Sequence, residues 1–192
     1  MLIKKLNRIG DPFYRYFSVQ KVFLEVYGCQ MNTNDAEIVH GILSTCSEPK
    51  YEKCNNISEA NVVLLMTCAI RENAETKIWN RLNNIKAYEN MSKKPLIVGV
   101  LGCMAERLKS DLLERSKTID LVCGPDSYRD LPKLLKGVDL DRDNNINVSL
   151  SADETYADIA PVRLDSCKKT AFVSIMRGCN NMCAFCIVPF VR

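Results

Sequence analysis

The sequence predicts an α/β domain built on a parallel sheet, and three observations support this class. Four apolar runs rich in branched residues alternate with segments of helical periodicity. Each run is nearly continuous, which is typical of strands covered by helices on both faces of a sheet. The 192 residues are 47% hydrophobic and 26% charged, as in globular proteins. This length suits one full domain and the start of a second.

The elements follow in order along the chain. The predicted strands cover residues 21–27, 61–67, 96–101 and 118–122. The predicted helices cover residues 35–46, 71–88, 104–115 and 127–136. Thr33 or Asn34 suits the N-cap of the first helix, and Gly137 suits the C-cap of the last. This alternation favours a Rossmann or flavodoxin-like sheet.

The chain divides into four segments by composition. Residues 1–20 form a basic N-terminal extension, and residues 21–137 form the α/β domain. Residues 138–170 are acidic, lack periodicity and are predicted to be a connection. A fresh strand is predicted at 171–176, followed at once by cysteines, so residues 171–192 are predicted to start a truncated second domain.

Charge and hydropathy exclude some classes of protein. The net charge is +3, but residues 1–21 alone carry +4, so the rest of the chain has no basic excess for nucleic acid. An RNA partner would therefore need a platform elsewhere. The basic extension is interpreted either as a mitochondrial transit peptide or as a frayed terminus, with cytoplasmic location as the alternative. No apolar stretch approaches the ~20 residues of a membrane span.

The chain has ten cysteines but a single histidine, His40, predicted on the exposed side of a helix. Without a secretory signal, so many thiols indicate metal or redox chemistry rather than disulfides. One histidine excludes Cys2His2 zinc sites, and a histidine-dependent hydrolytic triad would depend on His40 alone, to which we assign no role.

Three cysteines directly follow three different predicted strands, namely Cys29, Cys68 and Cys103. Because the carboxyl ends of parallel strands share one edge, these thiols should meet there. Each lies beside a predicted helix N-terminus, which favours the thiolate that binds metal. The alternative is that they are small buried hydrophobic residues. Cys123 also follows a strand and is a weaker candidate, while Cys46, Cys54 and Cys167 have no predicted role.

A second group has the spacing C-x3-C-x2-C at Cys179, Cys183 and Cys186. Three close thiolates can hold three irons of a [4Fe–4S] cluster and leave the fourth iron open for a substrate. A zinc site is the competing interpretation, but it would need a fourth nearby ligand.

These motifs together resemble the radical S-adenosylmethionine methylthiotransferases. The resemblance rests on the three dispersed cysteines and on the stretch RGCNNMCAFCIVPFVR, and it includes GCMAERLK, CGPDSYRDLPKLL and DETYADIAPVR. The chain is most similar to the tRNA-modifying branch, and within it to animal members named for association with a kinase regulatory subunit.

The resemblance implies two [4Fe–4S] clusters and S-adenosyl-L-methionine as cofactors. Cys179, Cys183 and Cys186 match the radical cluster, and Phe185 would lie near the adenine of S-adenosylmethionine. Cys29, Cys68 and Cys103 match the auxiliary cluster. The implied reaction converts N6-isopentenyladenosine beside the anticodon of tRNA to its 2-methylthio derivative. No side chain is implied as a catalytic acid or base, since an aromatic C–H bond offers no acidity to a base.

The family pattern also implies parts that these residues lack. Residues 171–192 would begin a TIM-like radical barrel, and tRNA would bind through regions outside the chain. We therefore expect a fragment that is inactive alone, within an enzyme served by an electron donor protein. The alternative function is a non-catalytic, protein-binding regulator that contacts a kinase activator.

Overall fold

The computed structural model describes residues 19–70, 72–140, 146–151, 154–164 and 169–192. Its strands are β1 (Gln20–Val26), β2 (Tyr51–Lys53), β3 (Val62–Thr67), β4 (Ile97–Gly102), β5 (Leu121–Cys123) and β6 (Ile146–Asn147). They form one six-stranded sheet in the order β2-β1-β3-β4-β5-β6, with every neighbouring pair parallel. The predicted α/β class and flavodoxin-like sheet are confirmed.

Helices cover both faces of this sheet. They are α1 (Gln30–Ser44), α2 (Glu72–Ser92), α3 (Cys103–Leu108), α4 (Asp111–Arg115), α5 (Leu131–Leu140) and the short α6 (Val188–Val191), with a 3₁₀ turn at Tyr128–Asp130. Within the described residues, no helix has the length and apolar character needed to cross a membrane.

The two faces of β3 supply two separate hydrophobic cores. Leu64 and Met66 pack with residues of α1 and α5, whereas Val63 and Leu65 pack with residues of α2 and α3. Every residue of β3 and β4 is buried, because both strands lie in the middle of the sheet. Burial on both faces explains why these two strands are continuous apolar runs in the sequence.

The order of the strands creates a switch point between β1 and β3. The chain leaves β1 toward β2 on one side and returns to β3 on the other side. Successive connections therefore run in opposite directions, which opens a crevice at the carboxyl ends of β1 and β3. This crevice is where ligands bind in open parallel sheets.

Several helix boundaries differ from the prediction. Helix α1 begins at Gln30 with Cys29 as its N-cap residue, not at Thr33 or Asn34. The predicted helix over 104–115 is two helices, because Lys109 has a φ of 50° and interrupts the turn. Gly137 lies inside α5 and is not its C-cap.

The sheet also differs from the prediction at its two edges and near residue 171. Strand β2 was not predicted, and β6 lies within the segment predicted as a connection, directly before residues 148–150, whose sequence VSL suits a short strand. The strand predicted at 171–176 is wrong within the described residues, since this stretch is irregular and Val173 and Ile175 are 80% and 96% exposed. A strand needs a neighbour for its hydrogen bonds, and none of the described strands pairs with it.

Candidate metal centre at the carboxyl edge of the sheet

Cys29 and Cys68 line one cavity at the switch point between β1 and β3. The cavity measures about 490 Å³ and is also lined by Tyr27, Ile70 and Lys77. Cys29 is exposed, whereas Cys68 is buried and accepts a hydrogen bond from the backbone N–H of Ile70 at 3.4 Å. Two of the three dispersed cysteines are therefore brought together.

Cys103 lies on the same edge but faces a different partner. It is the first residue of α3 and is buried, and its Sγ accepts a hydrogen bond from Nε of Arg192 at 3.0 Å. Burial raises the pKa of the Cys103 thiol, although the guanidinium of Arg192 acts in the opposite direction. The expected preference for thiolate at a helix N-terminus is therefore outweighed here by burial.

Two glycines allow this convergence of cysteines. A Cβ on Gly28 would lie 2.7 Å from Cβ of Cys68, and a Cβ on Gly102 would lie 2.7 Å from the carbonyl oxygen of Thr67. Both glycines have positive φ angles, 137° and 92°, which L side chains rarely adopt. Each precedes a cysteine of the set, so the backbone at the ends of β1 and β4 can approach the end of β3 closely.

Asn32 connects the Cys29 loop to β3. Its amide nitrogen donates to the carbonyl oxygen of Thr67 at 2.6 Å, and its Oδ1 accepts from the Cys29 thiol at 3.2 Å. The side chain is fully buried. Sequence reasoning missed this residue, although an amide three positions after the cysteine, in the first turn of a helix, was a usable signal.

The donor set fits a thiolate-bound metal centre in its chemistry and its placement. Soft thiolate ligands suit iron–sulfur clusters and zinc. Within the described ranges, however, no three Cys, His, Asp or Glu side chains form an arrangement that could hold a metal ion. The sulfur of Cys103 instead accepts a hydrogen bond from Arg192.

The second group of cysteines lies on a loop before α6. Cys183 is exposed, Cys179 and Cys186 are half-buried, and the N–H of Cys186 donates to the carbonyl oxygen of Cys183 at 3.0 Å. Phe185 is 95% exposed. This loop leaves its thiols open to a ligand, without contacts among the described residues that would hold them as core side chains.

The cysteines without a predicted metal role differ in their surroundings. Cys123 is fully buried, its thiol donates to the carbonyl oxygen of Ser127 at 3.3 Å, and burial raises its pKa strongly. Cys54 is buried and Cys46 is half-buried, and each thiol contacts a nearby backbone carbonyl oxygen. Cys167 lies outside the described residues. The described members of this set behave as structural thiols.

Comparison with known proteins identifies the family of this chain. The profile of the uncharacterized protein family UPF0004 matches residues 21–124, from β1 to the residue after β5. The chain belongs to the uncharacterized protein family UPF0004.

Curated relatives of this UPF0004 chain carry more specific names. It is 55% identical over 176 residues to mitochondrial tRNA methylthiotransferase CDK5RAP1 of Rattus norvegicus and 54% identical to the Homo sapiens protein of that name, covering 90% of this chain and 29% of each relative. It is 54% identical over 175 residues to tRNA-2-methylthio-N(6)-dimethylallyladenosine synthase of Flavobacterium psychrophilum, covering 91% of this chain and 35% of the relative. The chain thus spans about a third of the curated relatives that it matches.

The UPF0004 sheet edge also contains buried charges that sequence reasoning missed. Asp35 is fully buried, and Arg177 and Arg192 both form ion pairs with it. Tyr128 and Tyr156 stack beside this cluster with their ring centroids 5.7 Å apart. The sequence offers no local signal for these contacts, because their members are 93 to 157 positions from Asp35.

Proposed function

We propose that this chain is the N-terminal part of a tRNA methylthiotransferase. The proposed reaction converts N6-isopentenyladenosine beside the anticodon to its 2-methylthio derivative by radical S-adenosylmethionine chemistry. The observation that carries the proposal is the cavity shared by Cys29 and Cys68 at the switch point of the sheet. It lies within a stretch that is more than half identical to relatives named for this activity.

We assign Cys29, Cys68 and Cys103 to an auxiliary [4Fe–4S] cluster and Cys179, Cys183 and Cys186 to the radical cluster. Three cysteines per cluster leave one iron of each without a protein ligand. With S-adenosylmethionine, these groups would supply the sulfur and the one-electron reactivity that no side chain provides. Phe185 is free of packing and would contact the adenine of S-adenosylmethionine.

The residues around the first three cysteines orient and shield them. Asn32 orients the Cys29 thiol through a hydrogen bond. Tyr27 and Ile70 form walls of the cavity and limit the access of water to Cys68. Lys77 contributes a positive charge to the same wall. The glycines before Cys29 and Cys103 allow the loops to come close enough for this arrangement.

Binding of tRNA and methylthiotransferase activity both need parts of the enzyme beyond these 192 residues. The relatives extend well beyond the matched part, and we place the tRNA platform and the rest of the radical domain there. An electron donor protein is proposed as a partner. A mitochondrial location is proposed from the names of the animal relatives, together with the basic segment 1–20. The role of a kinase regulator stays a prediction of the sequence.

A chimeric enzyme tests the function directly. Residues 21–192 replace the matched part of the Flavobacterium psychrophilum relative in a host that lacks its own methylthiotransferase. We expect 2-methylthio-N6-isopentenyladenosine to appear in hydrolysed tRNA, measured by mass spectrometry. Cys29→Ala or Cys183→Ala should abolish the product, whereas the matched control Cys46→Ala should retain it. An active chimera that tolerates both Cys29→Ala and Cys183→Ala would contradict the proposal.

A further inference from the structure

One buried carboxylate on α1 accepts three hydrogen bonds from distant parts of the chain. Asp35 is 0% exposed. Its carboxylate accepts a hydrogen bond from Nη1 of Arg177 at 3.2 Å and one from Nη2 of Arg192 at 2.5 Å. The hydroxyl of Tyr128 donates to it at 3.1 Å. The side chains of Arg177 and Arg192 are only 12% and 3% exposed. Among the described residues, Arg192 depends on this carboxylate for neutralisation, whereas Arg177 also lies 3.6 Å from a carboxylate oxygen of Asp126.

These two arginines stand at the two ends of the loop that carries Cys179, Cys183 and Cys186. Arg177 lies two residues before the first of these cysteines, and Arg192 six residues after the last. The ends also meet through the backbone, because a Cβ on Gly178 would lie 2.9 Å from the carbonyl oxygen of Arg192. Asp35 therefore closes the cysteine loop at its base.

The same carboxylate is connected to the other set of cysteines. Asp35 lies on α1, the helix that begins directly after Cys29. Arg192, which it binds through Nη2, uses Nε to contact Sγ of Cys103 at 3.0 Å. Asp35 thus lies between the loop of Cys179, Cys183 and Cys186 and two of the three cysteines at the sheet edge.

Arg177 has further contacts that fix its direction. It donates to the carbonyl oxygen of Pro125 at 3.0 Å and lies over the ring of Tyr156, 4.5 Å from its centroid. Tyr156 in turn donates from its hydroxyl to the same carbonyl oxygen at 3.1 Å. One end of the cysteine loop is therefore held by the turn after β5 as well as by Asp35.

We infer that Asp35 is a positioning residue for the proposed reaction, which sets the place of the radical-cluster loop relative to the auxiliary cysteines. The inference rests on the proposed function for the roles of the two cysteine sets. The physical reason is that this carboxylate pairs with both arginines that bracket the loop, and that Arg192 pairs with no other carboxylate among the described residues. A neutral side chain at position 35 would leave the buried guanidinium group of Arg192 without a counter-charge and Arg177 with Asp126 alone, and the end of the loop at Arg192 would leave the sheet edge.

Hydrogen exchange on the metal-free 192-residue chain tests this inference. In Asp35→Asn, the amides of residues 178–192 should exchange about tenfold faster, while those of β3 and β4 stay as slow as in the wild type. The matched control is Glu37→Gln. Glu37 is also buried on α1 and lies 3.3 Å from an arginine, Arg163, but its partner does not border the cysteine loop. We expect the control to leave exchange in 178–192 unchanged.

Alkylation of thiols gives a second measurement, in which a buried thiol elsewhere in the molecule reports any general loosening of the core. Cys103 is 3% exposed with Arg192 bound to its sulfur, and it should react with iodoacetamide about tenfold faster in Asp35→Asn, because departure of the loop makes the sulfur accessible. Cys54, buried elsewhere, should keep its wild-type rate. If Asp35→Asn fails to fold, Arg192→Gln replaces it, since Asp35 then keeps Arg177 and Tyr128 as partners.

The inference is overturned if a folded Asp35→Asn or Arg192→Gln protein keeps wild-type exchange in 178–192 and wild-type alkylation of Cys103. It is equally overturned if Glu37→Gln releases the loop to the same extent. Both measurements are made without iron or tRNA. Failure of the chimera therefore counts against the proposed function, and failure of these measurements counts against Asp35 alone.

Discussion

At the scale of single residues, burial changes the behaviour of the one histidine. The prediction that His40 lies on the exposed side of a helix is wrong, because the residue is 5% exposed in α1. Its Nε2 is buried and has no hydrogen-bond partner within the described residues. Burial, assisted by the charge of Lys53, lowers the pKa of His40 to about 4. A helical pattern alone could not reveal this, since both faces of α1 are covered.

This burial predicts a dependence of stability on pH. Protonation of His40 favours the unfolded chain, where its pKa is near 6.5. The free energy of unfolding should therefore fall as the pH drops from 6.5 to about 4, by about 3 kcal/mol in total from this group. Urea denaturation at pH 7, 6, 5 and 4 measures this loss. The variant His40→Leu cannot take up the proton and should lose less stability over the same range; parallel curves would argue against a neutral buried histidine.

The cysteine pattern could be read from the sequence because it follows the strands. Placement after predicted strands brought Cys29, Cys68 and Cys103 to one edge of the sheet, and the structure places them there. The residues that hold the cysteine-bearing segments at this edge of the sheet were not predictable in the same way. Gly28 acts through a close approach to Cys68, and Asp35 acts through arginines more than 140 positions away. Such contacts depend on the assembled fold.

At the scale of elements, α1 is a central contact between the sheet and the segment 154–164. The backbone N–H of Val162 donates to the carbonyl oxygen of Glu37 at 2.9 Å. A Cβ on Gly41 would overlap the carbonyl oxygen of Ala160 and lie 3.0 Å from Cγ2 of Ile159. The glycine in the middle of this helix thus makes room for another backbone.

The variant Gly41→Ala should therefore destabilise the protein, although alanine is the better helix former. We expect the free energy of unfolding to fall by about 1–3 kcal/mol, because the added methyl group would overlap a backbone carbonyl. Chemical denaturation gives the value. Gly137→Ala is the comparison, since Gly137 lies inside α5, where alanine should stabilise by about 1 kcal/mol. A stabilising Gly41→Ala would mean that Ala160 does not rest on α1.

The elements that escaped prediction share a physical cause. Strands β2 and β6 have three and two residues, with the sequences YEK and IN, too short for any periodicity to show. They exist because β1 and β5 present unpaired backbone groups to them. Conversely, residues 171–176 have the composition of a strand but no strand beside them among the described residues. Strand formation depends on a neighbour, which local sequence does not report.

At the scale of the whole molecule, the fold brings two sets of thiols toward one side of a sheet. The strand order places a crevice after β1 and β3, and Cys29 and Cys68 line it. The loop with the other three cysteines is tied to the same edge through Arg177 and Arg192. Two sets of three thiolates are the ligands of two separate clusters if the proposed function is right.

The iron content of the 192-residue chain tests whether both sets of cysteines hold a cluster. After anaerobic reconstitution with iron and sulfide, we expect about eight iron atoms per chain and a similar amount of acid-labile sulfide, as two [4Fe–4S] clusters require. The triple variant Cys29→Ala/Cys68→Ala/Cys103→Ala should keep about four, and Cys179→Ala/Cys183→Ala/Cys186→Ala should also keep about four, because each set loads independently.

The matched control removes three cysteines that have no assigned role, Cys46→Ala/Cys54→Ala/Cys123→Ala. This variant should keep about eight iron atoms, because the three thiols that it lacks contact backbone carbonyl oxygens and belong to neither set of proposed ligands. Zinc with little sulfide in the wild type would instead favour a structural metal, because zinc needs no inorganic sulfide. Equal iron loss in all three triple variants would mean that folding, not ligation, sets the iron content.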